Sequence, residues 1–492
     1  MPPNRPRLDA PHPSRMITSL QHHAATRPDA ASIVELHDGG QICSWAELLA
    51  LAARRAASLR RTMQVGETLV TALPAGIELI GWFLGAISAG MRVLPMHTQI
   101  AGPEAQSVIE RVNATLAVTA RGIRAADVFN QLTTLTPEDA DQGTPIPAIP
   151  TDSAGSVILE SSGTCGLPKL VLRESAALDA VASNVIAGIT LRENDRIVFP
   201  TPLSHSYGVD TLVAAISAGA TLCVMNQYDP DRVAHEIVSG ATVLLGTPFV
   251  YESLARRSQP SASTVRVALS AGSPLLDSIG IRFHEKWQVE IGQLYGATEL
   301  GTVAMSVPGS NTHVPGSIGL PLPQVSMSVM DIHDLNQAAP TGTEGHLVVK
   351  APSMLTCYLG GSTETIDGAL ETGDLARQDA AGRFWITGRL KLMVDVGGYK
   401  VNPLEIEDVL LSHPSIAEAV VIPIIQSPTI RRLRALVVLN DTEPPTNSLQ
   451  LRAFLKDRLS ATKVPRVVNI VLSLPKSPTG KVLRSEVMSN WS

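Results

Sequence analysis

The stretch Ser161-Ser162-Gly163-Thr164-Cys165-Gly166-Leu167-Pro168-Lys169 is packed with small hydroxyl and glycine residues and closes on a lysine. These residue types suit a polyanion: glycines let backbone N–H groups approach anionic oxygens, hydroxyls add neutral donors, and a lysine adds a mobile point charge. At average residue usage the pattern S/T-S/T-G-T-x-G-x-P-K arises by accident on the order of once in a hundred thousand chains of this length, which disfavours an ordinary glycine-rich turn. The GxxxxGK[ST] loop of kinase-like ATPases is absent, so the predicted phosphate site is of another kind. Further along, Gln293-Leu294-Tyr295-Gly296-Ala297-Thr298-Glu299 sets a ring, a hydroxyl and a carboxylate close together. Glu371-Thr372-Gly373-Asp374 carries more acid, and Pro475-Lys476-Ser477-Pro478-Thr479-Gly480-Lys481 brings lysines near the C-terminus.

In this order the segments resemble the adenylate-forming superfamily, which holds acyl- and aryl-CoA synthetases, peptide-synthetase adenylation domains and beetle luciferases. The acyl-CoA synthetases and AMP-dependent acid ligases are the most similar group. Looser matches at Cys43-Ser44-Trp45-Ala46-Glu47-Leu48 and at Ala89-Gly90 with Pro95 extend the resemblance over nearly the whole chain. The resemblance implies that Ser161, Ser162, Gly163, Thr164, Cys165, Gly166 and Lys169 cradle the phosphates of ATP, and that Gly272, Ser273 and Pro274 line the adenine pocket. Tyr295 is expected to pack on the adenine beside Gly296 and Ala297, with Thr298 donating to the α-phosphate. Glu299 is expected to help hold Mg²⁺, a hard cation that prefers carboxylate oxygen. Asp374 is the expected ribose ligand, since a carboxylate accepts from both vicinal hydroxyls. Arg389 is expected to reach ribose or phosphate with its planar fork, while Gly316-Ser317-Ile318-Gly319-Leu320-Pro321 is read as scaffold.

Lys481, in a segment similar to PKxxxGKxxR with Arg484, is the implied catalytic cation. A carboxylate and a triphosphate repel one another, so a cation reaching both is worth most as charge redistributes in the transition state. Two half-reactions are implied: an acyl-adenylate forms with loss of pyrophosphate, then the acyl group passes to the thiol of CoA, or of a carrier protein's phosphopantetheine, with loss of AMP. The small domain is expected to swing between them about a hinge at Lys391, bringing Gly397 and Gly398 to the thiol channel, where a Cβ would obstruct passage. Two departures stand out: Cys165 replaces a usual threonine, and Asp395 a usual lysine.

For the acid, the segment Pro202-Leu203-Ser204-His205-Ser206-Tyr207-Gly208 matches the one beside the acid site of acyl- and aryl-CoA synthetases. It makes His205, Tyr207 and Gly208, with Gly301, the expected acid pocket, His205 doubling as a catalytic candidate. Peptide-synthetase domains place an aspartate here to hold an ammonium group, and Asp210 is out of register for that task. A non-amino acid follows, aryl or short- to medium-chain acyl. The alternatives sharing these motifs are a stand-alone enzyme that loads a carrier protein and a catalytically inactive binding or regulatory relative.

These residues need elements to hold them. Apolar runs at 156–160, 196–200, 242–246 and 265–270, bounded by Gly or Pro, predict strands, and 176–189 predicts a helix, so the class is α/β with mixed α+β subdomains. The texture changes near 388–391: a helix at 403–412, strands at 419–423 and 433–439, and an amphipathic helix carrying Leu451, Phe454, Leu455 and Leu459 predict a small mobile domain. The expected division is a loose arm at 1–15, a large ATP- and acid-binding domain at 16–388 and a lid at 389–492. At 492 residues, with 44% hydrophobic and 17% charged residues, the chain has material for more than one core. Its formal charge of −6 gives no basic excess for nucleic acid. The apolar runs 77–90 and 211–225 are short for a membrane span. Four scattered cysteines without metal spacing suit a reduced, cytoplasmic setting. The expected assembly is a monomer or homodimer.

Overall fold

The computed structural model describes residues 14–135, 148–152, 154–161, 169–257, 263–311, 313–332, 334–360, 368–392, 394–396, 399–427, 430–440, 446–459, 463–477, 480 and 482–491. Ser162 to Pro168, Gly397, Gly398 and Lys481 lie outside these residues, as do residues 136–147, and of Lys391 only the backbone is described.

Two sheets share one core. Among the described residues the larger has nine strands, in the order Leu320–Pro321, Gly301–Ser306, Ile291–Ala297, Val267–Ser270, Val243–Gly246, Arg196–Phe199, Thr221–Val224, Ala31–Glu35, Ile42–Ser44. Its centre is parallel, and there Val243–Gly246 and Val267–Ser270 are buried along their whole length. That burial is why they read as continuous apolar runs rather than alternating ones. The second sheet runs Cys357–Leu359, Lys169–Glu174, Ser156–Ser161, Arg92–Pro95, Thr68–Ala72, Leu116–Thr119, Thr133–Leu135. Helices Ile77–Ala89, Ser175–Ile189 and Ser206–Ala218 contribute to the core that both sheets share. A helix covered on both sides can be apolar all round, which accounts for the run at 77–90; no described helix is long and apolar enough to cross a membrane. The run at 211–225 divides, because Gly219 takes a left-handed φ of 74° that ends the helix and starts strand Thr221–Val224.

A four-stranded antiparallel sheet follows, Ser326–Met330, Glu344–Lys350, Leu370–Gln378 and Phe384–Arg389, with its own core. Beyond it the packing starts afresh. The last two cores draw only on residues from Val394 onward. They unite the hairpin Val394–Val396/Tyr399–Val401, helices Pro403–Leu411 and Ser448–Lys456, and the sheet of Ile416–Ser427, Ile430–Leu439 and Val467–Ile470. Asn402 joins the two regions: its Oδ1 caps helix Pro403–Leu411 at Leu404 N, 3.1 Å, and its Nδ2 donates to Thr387 O, 2.7 Å. At the other end, helix Arg15–Thr26 begins inside the expected arm, with Arg15 N donating to Asp179 Oδ2 at 3.0 Å.

Candidate active site

Strands Ser156–Ser161 and Lys169–Glu174 form a hairpin in which Ser161 and Lys169 are cross-strand partners, so the glycine-rich loop leaves and returns at one point. Glu299 meets it there. Ser161 Oγ donates to Glu299 Oε1 at 2.8 Å, and the Tyr358 hydroxyl donates to the same oxygen at 3.2 Å. Lys169 Nζ lies 4.4 Å from the centre of the Tyr358 ring, a cation–π contact. The peptide of Leu355 donates to Glu299 O at 2.7 Å and fixes the acid's backbone. One carboxylate and one ammonium thus face the loop mouth, bridged by a phenol whose ionisation burial, and then Glu299, push upward. No group of three or more His, Cys, Asp or Glu side chains that could by itself hold a metal ion occurs among the described residues. Magnesium fits this donor set only with substrate phosphates completing its shell around Glu299, its usual manner of binding.

The expected ribose site is assembled by the adjoining sheet. Asp374 and Arg389 are cross-strand partners, with Arg389 Nε 2.9 Å from Asp374 Oδ1. The Tyr295 hydroxyl donates to Asp374 Oδ2 at 2.7 Å, and Asp374 N donates to Thr372 Oγ1 at 3.0 Å. Burial raises the Tyr295 phenol well above its usual range, with the Asp374 charge adding to it, so the hydroxyl stays a donor. Gly296 lies where the hairpin of Ile291–Ala297 and Gly301–Ser306 turns: a Cβ there would stand 2.5 Å from Gly301 O. Gly272 follows strand Val267–Ser270 with φ 87°, and its open side faces Thr247 at 3.8 Å.

On the acid side, Thr298 Oγ1 and Ser206 Oγ are 3.5 Å apart, bringing the YGATE segment to the start of helix Ser206–Ala218. His205 caps that helix; burial, then the charge of His97, pull its imidazole down to about 4, so it is neutral at physiological pH. Its Nε2 and the Tyr207 hydroxyl are buried without a hydrogen-bond partner among the described residues. The Tyr207 ring meets Phe199 edge-on at 5.0 Å. Gly208 packs closely, since a Cβ there would lie 2.6 Å from Leu203 Cα. Asp210 is not available to an ammonium ligand: it receives Arg173 Nη1 at 2.8 Å and the Thr302 hydroxyl at 3.1 Å.

The C-terminal loop reaches this region. Gly480 has φ 81°, and a Cβ on it would stand 2.7 Å from both Cβ and Cγ of Phe249, at the start of helix Pro248–Ala255 in the large domain. Lys476 lies 5.8 Å from the centre of the Phe249 ring and pairs with Glu418 at 2.8 Å. Arg484 is bound inward instead, to Glu407 and, at 3.0 Å, to Val421 O. It anchors the loop to its own domain. Lys391 lies in the short 3₁₀ turn Leu390–Leu392 between the two regions, and Val396 and Tyr399, on either side of Gly397 and Gly398, are cross-strand partners.

Sequence reasoning missed Tyr358 and Arg173. Tyr358 sits in Cys-Tyr-Leu-Gly with no chemical pattern around it. Arg173, fully buried, gives no signal of its own in the sequence, since it sits beside Glu174 at the end of the strand Lys-Leu-Val-Leu-Arg-Glu.

With this arrangement of loop, carboxylates and docked C-terminal segment, the chain belongs to the AMP-binding enzyme family, which matches residues 20–359; the family's C-terminal domain matches 405–481. Among its relatives, the mitochondrial malonate–CoA ligase of Mus musculus is 31% identical over 376 residues, 68% of this chain and 64% of that protein. The indoleacetate–CoA ligase of Aromatoleum aromaticum is 28% identical over 90% of this chain and 92% of its own. The crystal structure of ATP-bound MatB from Rhodopseudomonas palustris superposes with a TM-score of 0.89 at 26% identity, covering 97% of this chain and 99% of that one.

Proposed function

We propose that the chain is an AMP-forming acid–thiol ligase: it joins a non-amino carboxylic acid to the α-phosphate of ATP, releases pyrophosphate, and passes the acyl group to CoA with release of AMP. The observation that carries the reading is the loop mouth, where Glu299 is held by Ser161 and Tyr358 while Lys169 lies over the same Tyr358 ring. The relatives named for CoA thioesters favour CoA as acceptor. Malonate and indoleacetate differ too much in size and polarity for the names to fix the acid.

In this reading Lys169 and the loop hold the β- and γ-phosphates, and Glu299 holds magnesium, which supplies charge neutralisation for the leaving pyrophosphate. Tyr295, Asp374 and Arg389 hold the nucleoside, with Tyr295 and Arg389 keeping Asp374 oriented between them. Thr298 and Ser206 meet where the acid's carboxylate attacks phosphorus in line. Positioning and electrostatics then account for most of the rate. His205 is kept neutral by burial and gives the pocket shape rather than charge. Lys481 closes on the two anions from the C-terminal loop. A large domain ending at residue 388 and a lid from 389, hinged at Lys391, agree with the break between cores before Val394. A cytoplasmic setting, where CoA and ATP occur, goes with this reading.

The test is a panel of carboxylic acids scored by pyrophosphate release, with either CoA or a pantetheinylated carrier protein supplied and the thioester weighed. A CoA thioester is expected. A product on the carrier alone would make the chain a loading enzyme, and no pyrophosphate with any acid would refute the reading.

A further inference from the structure

Asn402 stands just past the point where the chain leaves the large domain, and its side chain works in both directions. Oδ1 accepts from Leu404 N at 3.1 Å and caps helix Pro403–Leu411, while Nδ2 donates to Thr387 O at 2.7 Å. Ser, Thr and Asp cap helices as well. Among them the amide alone carries an acceptor and a donor on separate atoms, one for each domain. The Thr387 end of the contact lies at an irregularity. Where Leu370–Gln378 pairs with Phe384–Arg389, Leu375 faces Gly388 and Ala376 faces Ile386, which leaves Thr387 as the extra residue of a β-bulge. A bulge breaks the ladder locally, and the carbonyl at the break receives Asn402.

Gly388 makes room for this contact. A Cβ there would stand 2.7 Å from Asn402 Nδ2 and 3.3 Å from its Cγ, and the amide, pinned at both ends, cannot step aside without breaking a bond. One residue further on, Arg389 pairs with Asp374, so the lid grips the strand that presents the expected ribose ligands. Thr387 and Asn402 lie on opposite sides of the proposed hinge at Lys391, and they meet in the same orientation that brings Gly480 against Phe249. Charge does not hold the domains this way. Asp408, on the helix that Asn402 caps, feels Asp277 of helix Asp277–Trp287 in the large domain: burial, then the charges of Asp277 and Glu405, push its carboxyl up to about 6. Like charges approach there, and the Asn402 hydrogen bond draws the domains together against them.

We propose that Asn402 is a positioning residue for acid activation: its amide latches the lid to the Thr387 bulge while the C-terminal loop is seated, and releases it when the lid swings for thiol transfer. The inference rests on the proposed pair of half-reactions. A hydrogen bond is lost beyond about 3.5 Å, so a swing about Lys391 that carries Asn402 off by about an ångström frees it. One neutral bond shifts a population by a factor of about 2 to 10, enough to bias the lid and little enough to be broken in every turnover.

The test variant is Asn402→Ser, which keeps an oxygen for the cap and loses the donor that reaches Thr387. Acid-dependent ATP–pyrophosphate exchange is expected to fall about 2- to 10-fold, while thioester formation from a chemically prepared acyl-adenylate and CoA holds at the parental rate or rises. Gly388→Ala, which leaves Asn402 and its cap in place, is expected to show the same split, because its methyl meets the amide only when the lid is latched. Combined with Asn402→Ser it should cost exchange much less than it does alone, since the shorter side chain vacates the space. Equal loss in both half-reactions makes Asn402 a residue of the fold only. That result, unchanged exchange, or a Gly388→Ala effect as large without the amide as with it overturns the inference and leaves acid activation intact. A parental enzyme without exchange for any acid refutes the activity, and the latch with it.

Discussion

Gly480→Ala tests whether the C-terminal loop must seat against the large domain for the first half-reaction. A methyl group at this position would lie 2.7 Å from the Phe249 side chain, against the 3.4 Å or more of ordinary contact, so loop or ring must move by most of an ångström. Overpacking of that kind costs roughly 1–3 kcal/mol. The φ of 81° adds strain whichever way the lid faces, whereas the clash exists only when the loop is seated. The seated population should therefore fall, and acid-dependent ATP–pyrophosphate exchange should drop about 5- to 100-fold. Thioester formation from a chemically prepared acyl-adenylate and CoA, which does not need the loop seated, should change much less. Adding Phe249→Ala should return part of the lost exchange relative to Phe249→Ala alone. Equal loss in both half-reactions, or no loss in either, would refute the reasoning.

Tyr358→Phe keeps the ring under Lys169 and deletes the hydroxyl bonded to Glu299. A hydrogen bond to a charged group is worth roughly 1.5–3 kcal/mol, so ATP–pyrophosphate exchange should fall about 10- to 100-fold, and Tyr358→Leu should fall further; unchanged exchange in Tyr358→Phe would remove the tyrosine from the site. Glu160, next to Ser161, has its carboxyl pushed up to about 7 by burial first and then by the charge of Glu104, with Arg111 opposing. A raised acid destabilises the fold as pH climbs from the unfolded value through 7, so Glu160→Gln should gain up to about 3 kcal/mol at pH 8 and nothing at pH 4; denaturant unfolding at the two pH values reads this, and a gain equal at both would contradict it. Lys391→Pro locks φ at the proposed hinge. Exchange should survive while thioester formation falls at least tenfold, and parallel loss of both would count against a swing there.

Asp374 and Arg389 were legible because each lies in a short motif, and the antiparallel register of Leu370–Gln378 with Phe384–Arg389 then makes them neighbours. The central strands were legible for a related reason: buried on both faces, they are apolar without interruption, as Val243–Gly246 is. Strands of the small domain were read too short. Ile416–Ser427 and Ile430–Leu439 extend into a hairpin whose outer rungs pair Ile424 with Arg432 and Ile425 with Arg431, and periodicity does not announce a strand once it leaves the core. Tyr358 was invisible because its role depends on strand Cys357–Leu359 pairing with Lys169–Glu174, almost two hundred residues earlier. Asp210 was noticed for its charge, but its partner Arg173 belongs to the other sheet, and only the packing of helix Ser206–Ala218 between the sheets brings the pair together.

The most direct test compares the two half-reactions of a folded Lys481→Ala variant. Because Gly480 is seated on Phe249 of the large domain, the adjacent lysine is expected to serve adenylation, and the variant should lose about 100-fold or more in acid-dependent pyrophosphate release, the scale of one electrostatic contact made in the transition state. Preformed acyl-adenylate should still pass to CoA at close to the parental rate. Pyrophosphate release at the parental rate would contradict the account at its centre.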